Sequence, residues 1–321
     1  MAGLISLEDA HSGLLAEYPV LRSWGMSIEK RFEAGQGRLS NAFLLACHGP
    51  AAPSRQMVAK CVPPHADKSG LIVERQAMKL ALSCCTRVPK LSFPQHEPSD
   101  FLLMEYLEGA DAETVLINNS LGPQVFSRLG ETLREVHAIP AGEFASVLGE
   151  WGSWNGWVSG RIPPRLSALR DTLGPELYDL ASDRIDKALV ALQFESDQPR
   201  LIHRDIYLSN FLISENLDKA FLIDFGMAMA GSPLFDLAKF YILDLYRFPE
   251  CLDPFLSQYF AESGAPIAFK CLMELYLYVE LVGMIRFFDR GGQRDALAHA
   301  TTVLRELVDG RGRIVDLLAA I

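Results

Sequence analysis

The sequence predicts an α+β protein: an antiparallel β-sheet lobe with one main helix, followed by a mostly helical lobe. Three observations predict it. Strand-like apolar runs cluster before about residue 107. Helical periodicity dominates after that point, and two acidic motifs at fixed spacing flank a short hairpin inside the later part. The expected division is 1–107, an N-terminal β-rich lobe, and 108–321, a mostly helical C-terminal lobe.

At 321 residues, 49% hydrophobic and 22% charged, the chain can bury one large core or two. Its formal net charge of −10 argues against a nucleic-acid partner, which usually meets a basic excess. The six cysteines form no C-x-x-C pair and sit mostly in apolar runs, so buried free thiols are expected, with neither zinc nor a disulfide framework. The N-terminus has acids where a signal peptide needs a basic region, and Cys271–Phe288 is interrupted by Glu274, Glu280 and Arg286. A cytoplasmic protein without a membrane span is expected; its oligomeric state is left open.

Residues 1–26 read as a leading helix or loop with Leu14, Leu15, Tyr18, Val20 and Leu21 as docking contacts. Ser27–Ala34 alternates as a strand, and Ala42–Cys47 resumes as another. Between them, Gly35 and Gly37 would let backbone N–H groups approach phosphates closely, with Ser40 in the third glycine's place of a G-x-G-x-x-G pattern and Asn41 after it. Arg55–Val62 is the third strand. Lys60 lies in its middle among apolar residues, where its charge needs a partner. Glu74, on the helical run Gly70–Cys84, is that candidate.

Phe101–Leu107 is an apolar strand that ends in acidic residues and Gly109. Gly122–Ala138 is an amphipathic helix with Val125, Leu129, Leu133 and Val136 on one stripe; His137 near its end suits a packed, hydrogen-bonded role. Trp151, Trp154 and Trp157 cluster among glycines, as anchors or as a stacking surface for a sugar or cation. Arg161-Ile-Pro163-Pro164-Arg165 reads as a loop, and Leu166–Phe194 as helical. From 251 on the pattern is helical, with Asp253, Glu262, Glu274, Glu280 and Asp289 placed to line a pocket or face water.

The chemistry concentrates between Leu201 and Asp236. His203-Arg204-Asp205 is followed five residues after its aspartate by Asn210, and Asp224-Phe225-Gly226 begins fourteen residues later. Two short apolar runs, Phe211–Ser214 and Lys219–Ile223, are joined by the turn-prone Glu215–Asp218, so a hairpin would bring Asn210 and Asp224 together. Phosphoryl transfer needs such a set: a carboxylate near the attacking hydroxyl, and an amide and a carboxylate sharing magnesium.

These motifs resemble the protein-kinase-like superfamily, and within it the aminoglycoside phosphotransferase and choline kinase branch. The kinase pattern H-R-D-L-x-x-x-N then D-F-G is met except for Ile206, and Val58-Ala59-Lys60 matches the V-A-x-K lysine. Ser40-Asn41 resembles the close of the phosphate loop in small-molecule phosphotransferases, and Leu133–Pro140 resembles a helix ending in that branch.

The resemblance implies a bilobal protein-kinase-like fold and an ATP-dependent kinase, GTP not being excluded, that phosphorylates a hydroxyl of a small molecule. It implies Asp205 as the catalytic carboxylate, Asn210 and Asp224 as Mg2+ ligands, and Lys60 on the phosphates with Glu74 steadying it. The hinge would present main-chain groups of Glu105 and Leu107 to the adenine, with Met104 behind it. Asp236, twelve residues after Asp224, would support the catalytic loop from below. No A-P-E follows it and Tyr207 replaces the lysine of protein-serine kinases, which points away from protein substrates. Arg204 departs from the branch, where a small residue or Asn is common. His203–Leu208 also resembles lipopolysaccharide-sugar kinases, an alternative beside a nucleotide-binding pseudokinase.

Overall fold

In the computed structural model, the described residues are 6–17, 26–32, 41–49, 52–62, 67–92, 101–118, 121–142, 153–195, 198–261, 264–265 and 268–319. Helix α1 (Leu7–Glu17) buries Leu14 completely. Four antiparallel strands follow in the order β1 (Met26–Phe32), β2 (Asn41–Gly49), β3 (Ala52–Cys61) and β4 (Phe101–Glu105). Alternation along β3 sends Met57, Ala59 and Cys61 into the core and leaves Lys60 on the other face, between Ala42 of β2 and Leu102 of β4. Helix α2 (Ser69–Ala81) buries Leu71, Ala77, Met78 and Ala81 together with Glu74 and Arg75.

The chain then leaves this sheet. Gly109 has φ +153°, and a Cβ there would collide with the Ile213 carbonyl oxygen, so glycine lets β5 (Ala110–Asp111) pair closely with β7 (Phe211–Ile213). After α3 (Ala112–Asn118), α4 (Gly122–His137) buries the expected stripe of Val125, Leu129, Leu133 and Val136.

Residues 161–165 correct the sequence expectation. They lie inside α5 (Trp154–Ser167), with Pro163 and Pro164 in the helix. Proline there forfeits backbone bonds, but Trp157, Ile162 and Leu166 are buried on one face, and that packing overrides the local preference. Trp154 and Trp157 stack at 4.8 Å in the core, and the Trp154 indole N–H donates to the Tyr276 hydroxyl at 2.6 Å, so both act as anchors. Trp151 lies outside the described residues.

Helix α6 (Arg170–Ala188) leads to the paired strands β6 (Arg200–Ile202) and β9 (Met229–Gly231), with the hairpin β7–β8 (Ala220–Leu222) between them. Helices α7 (Pro233–Phe240), α8 (Leu252–Tyr259), α9 (Phe269–Arg290), α10 (Arg294–Asp309) and α11 (Arg313–Ala319) complete the fold. Helix α9 is buried on nearly every side from Leu272 to Ile285, the pattern of a central helix. Among the described residues no helix is long and apolar enough to cross a membrane. Cys61, Cys84, Cys85, Cys251 and Cys271 are free thiols; Cys84 and Cys271 are exposed, against the expectation of burial.

Candidate active site

Three elements bring the sequence-predicted cation and carboxylates together. Lys60 of β3 reaches Glu74 Oε2 of α2 and Asp224 Oδ1, each at 2.6 Å. Burial opposes the Lys60 charge, but Glu74 and Asp224 outweigh it and hold its pKa above the ordinary lysine value. The Phe225 backbone N–H also bonds Glu74, which ties α2 to the Asp224-Phe225-Gly226 turn. Asp224 itself has φ +67°, a left-handed conformation costly for a non-glycine residue and often found at functional sites.

The hairpin places Asn210 and Asp224 as its spacing implied. Phe211 pairs with Leu222, and the Ile223 N–H donates to the Asn210 carbonyl at 3.0 Å. The Asn210 side-chain amide donates to the Asp205 carbonyl at 2.7 Å, which assigns its nitrogen and turns its oxygen to the other side. An amide oxygen and a carboxylate, both hard ligands, fit magnesium that takes its remaining oxygens from phosphate and water. No cluster of three or more His, Cys, Asp or Glu able to hold a metal occurs among the described residues.

Asp236, fully buried at the start of α7, holds the loop that carries His203, Arg204 and Asp205. Its Oδ2 accepts the His203 N–H at 2.6 Å, and its Oδ1 accepts the Arg204 N–H at 2.8 Å. Arg204 is thereby kept at φ +65°. Burial pushes the Asp236 carboxyl up, but bonds from His137, His203 and the loop bring it below its ordinary value. His137 Nε2 lies 3.2 Å from Asp236 and its Nδ1 2.8 Å from the Tyr259 hydroxyl, the packed role expected for it. His203 links the two motifs: its Nε2 lies 2.9 Å from the Ile223 carbonyl and its Nδ1 accepts the Asp205 N–H at 3.3 Å. A ring that donates from Nε2 and accepts at Nδ1 is neutral, and burial lowers its pKa.

Sequence reasoning missed two partners of this loop. Lys239 Nζ lies 3.1 Å from Asp205 Oδ1, 2.8 Å from the Arg204 carbonyl and 4.5 Å from the Tyr207 ring centre. Burial opposes its charge, but Tyr207, Asp205 and Glu280 raise its pKa. The signal was its place three residues after Asp236, on the same helix face. Asp244, buried behind the loop, accepts the Leu208 N–H; burial pushes its carboxyl up to about 7.

At the hinge, Met104 is buried in β4 opposite Val58. The Glu105 N–H donates to the Lys90 carbonyl at 2.8 Å, and its side chain accepts the Lys90 N–H at 2.8 Å. The Glu105 N–H is therefore taken, which leaves its carbonyl as the Glu105 main-chain group open to a nucleotide. Leu107, past the strand end, makes no main-chain hydrogen bond among the described residues. Gly35, Gly37 and Ser40 lie outside the described residues, and Asn41 opens β2 opposite Cys61.

The sequence profile of a phosphotransferase enzyme family, designated APH, matches residues 55–270, about two thirds of the chain. This protein belongs to that family. The matched span runs from β3 through α8 to the start of α9 and includes Lys60, Glu74, Asp205, Asn210, Asp224 and Lys239. As an APH-family phosphotransferase it acts on a hydroxyl group.

No curated protein sequence matches the chain significantly. Similar solved structures include aminoglycoside phosphotransferase APH(4)-Ia in ternary complex with AMP-PNP and hygromycin B, 14% identical with TM-score 0.65, covering 92% of this chain and 98% of that one. A second is APH(2")-IIia with GDP and kanamycin, 18% identical with TM-score 0.64, covering 96% and 100%. A third is a fructosamine-3-kinase candidate from Thermobifida fusca, 19% identical with TM-score 0.60, covering 94% and 98%. At these identities the likeness establishes the bilobal kinase-like α+β fold.

Proposed function

We propose that this phosphotransferase moves the γ-phosphate of ATP to a hydroxyl of a small molecule. In this account residues 1–107 bind the nucleotide, and 108–321 supply the catalytic loop and the acceptor site. The observation that carries the proposal is Lys60 bonded to both Glu74 and Asp224 at 2.6 Å, beside a loop in which Asn210 is tied to Asp205.

Asp205 orients the acceptor hydroxyl and takes its proton as the new bond forms. Lys60 draws in the α and β phosphates, and Glu74 keeps its ammonium aimed. Asn210 and Asp224 hold magnesium, which when bound neutralises charge on the phosphates. Lys239, against Asp205, places a further cation where the transferring group gathers negative charge. Leu107 and the Glu105 carbonyl meet the base, with Met104 behind it. AMP-PNP in one neighbour and GDP in another support a purine nucleotide as donor.

The test is ADP formation from Mg-ATP, with Mg-GTP in parallel, by wild type and Asp224→Ala. Wild type should turn over only with magnesium. The variant should lose turnover while keeping its melting transition. Near-wild-type turnover by Asp224→Ala would overturn the assignment.

A further inference from the structure

Around Arg204, the residue before Asp205, the protein carries an excess of guanidinium groups that the proposed phosphoryl transfer does not use. Arg161 and Arg165 stand one turn apart on α5, Arg204 follows His203 in the catalytic loop, and Arg286 lies on α9, which packs against α5. The arginines are mounted on an aromatic wall. The Arg161 Cζ sits 4.7 Å from the Trp157 ring centre, Trp157 meets Phe235 edge-on at 5.7 Å, and the Arg204 Cζ lies 5.9 Å from Phe235.

Arg165 reaches α9 at Gly283, where a Cβ would stand 3.5 Å from its guanidinium. Among the described residues none of the four arginines makes an ion pair within 4.0 Å. The Nε atoms of Arg161, Arg204 and Arg286 are buried with no hydrogen-bond partner among the described residues.

Among the described residues, Glu280 of α9 is the carboxylate that acts on Arg161 and Arg165, and it also feels Lys239 and Arg204. Burial pushes its carboxyl up to about 7, which weakens it as a counter-charge at neutral pH. Burial and then the neighbouring guanidiniums hold Arg165 down to about 10, and Arg161 is lowered for the same reasons. Lys239 is occupied by Asp205. Unpaired donors fixed on an aromatic wall match a planar or tetrahedral oxyanion, because the guanidinium fork binds carboxylate and phosphate through two parallel bonds. A polycationic acceptor would meet like charge instead.

We propose that the acceptor is an anionic polyol, a hydroxylated molecule bearing a carboxylate or phosphate, with its oxyanion held by Arg161, Arg165 and Arg204 and its hydroxyl at Asp205. This rests on the phosphotransfer proposal above but is tested apart from it.

Two measurements use the full-length protein. The first is ADP formation from Mg-ATP with gluconate, glucose 6-phosphate, glucose, sorbitol and kanamycin. The second is the melting shift produced by gluconate, by glucose 6-phosphate and by inorganic phosphate, without nucleotide. An anionic polyol should support turnover at least about tenfold better than its neutral counterpart, as loss of one charge-assisted bond implies. Gluconate responding alone assigns a carboxylate site, and glucose 6-phosphate a phosphate site.

Arg161→Ala/Arg165→Ala should raise the acceptor KM about tenfold or more with little change in kcat, and should abolish the anion-induced shift. Arg161→Lys/Arg165→Lys, which keeps the charge and guards against misfolding, should retain part of both. Anion shifts lost in the alanine variant, but without turnover of any acceptor, would uphold the anion site and count against phosphotransfer. Turnover of kanamycin with no response to any anion would overturn the anionic acceptor and leave phosphotransfer standing.

Discussion

Replacing Asp236 tests whether a single buried carboxylate sets the shape of the loop that carries Asp205. Its oxygens accept the His203 and Arg204 N–H groups at 2.6 and 2.8 Å, with His137 at 3.2 Å. Hydrogen bonds to a charged acceptor contribute about 1.5–3 kcal/mol each, so losing the two backbone bonds costs about 3–6 kcal/mol. That approaches the whole stability of many domains. Asp236→Asn is therefore the informative variant: it keeps one acceptor oxygen and loses the charge, for about half that cost.

Release of Arg204 from its left-handed conformation would also move Asp205, and a displacement on the order of 1 Å costs about 100-fold in rate. Urea unfolding followed by tryptophan fluorescence reads the first effect, and kcat/KM for ADP formation reads the second. The folded Asp236 pKa lies below its unfolded value, so its contribution is present at neutral pH and is lost as pH falls through the folded pKa. Asp236→Asn should flatten that acid limb. A variant within about 1 kcal/mol of wild type, with less than about a threefold loss of kcat/KM, would refute the reasoning.

Lys60→Met strands the buried Glu74 and should destabilise the protein by about 3–5 kcal/mol in urea unfolding. Adding Glu74→Gln should restore much of the stability and none of the turnover. Lys239→Ala should lower kcat by about 10- to 100-fold while the nucleotide KM changes little, as steady-state kinetics would show. Asp244 titrates oppositely to Asp236. Its folded pKa is raised from 3.8 to about 7, so its contribution is full below the unfolded value and is lost as pH rises through about 7. Asp244→Asn should remove up to about 4 kcal/mol of that decline, measured as the wild-type-minus-variant difference in unfolding free energy between pH 4 and 8.

The parts of this site that local sequence encodes were legible before the structure. The hairpin from Phe211 to Leu222 is two short apolar runs joined by a turn-prone segment, so the proximity of Asn210 and Asp224 follows from strand pairing. Lys60 was visible because an ammonium among apolar strand residues demands a partner, and Glu74 is that partner. Pairings across long separations were not legible. Lys239 meets Asp205 because Asp236 fixes where α7 begins relative to the loop. The arginine group draws on α5, the loop and α9, with nothing periodic to announce it. Pro163-Pro164 was misread for a related reason: local preference marks a loop, whereas burial of Trp157, Ile162 and Leu166 keeps the helix.

Acceptor-dependent ADP formation, with wild type beside Asp205→Asn, reads whether phosphoryl transfer is organised around Asp205. The panel spans anionic polyols, neutral sugars, amino alcohols and aminoglycosides, and mass spectrometry reads a phosphorylated product. Wild type should give ADP and phosphorylated acceptor in equal amounts, both lost in the variant while Mg-ATP binding persists by calorimetry. Equal turnover by the two proteins, or no binding of Mg-ATP by either, would contradict phosphoryl transfer organised around Asp205.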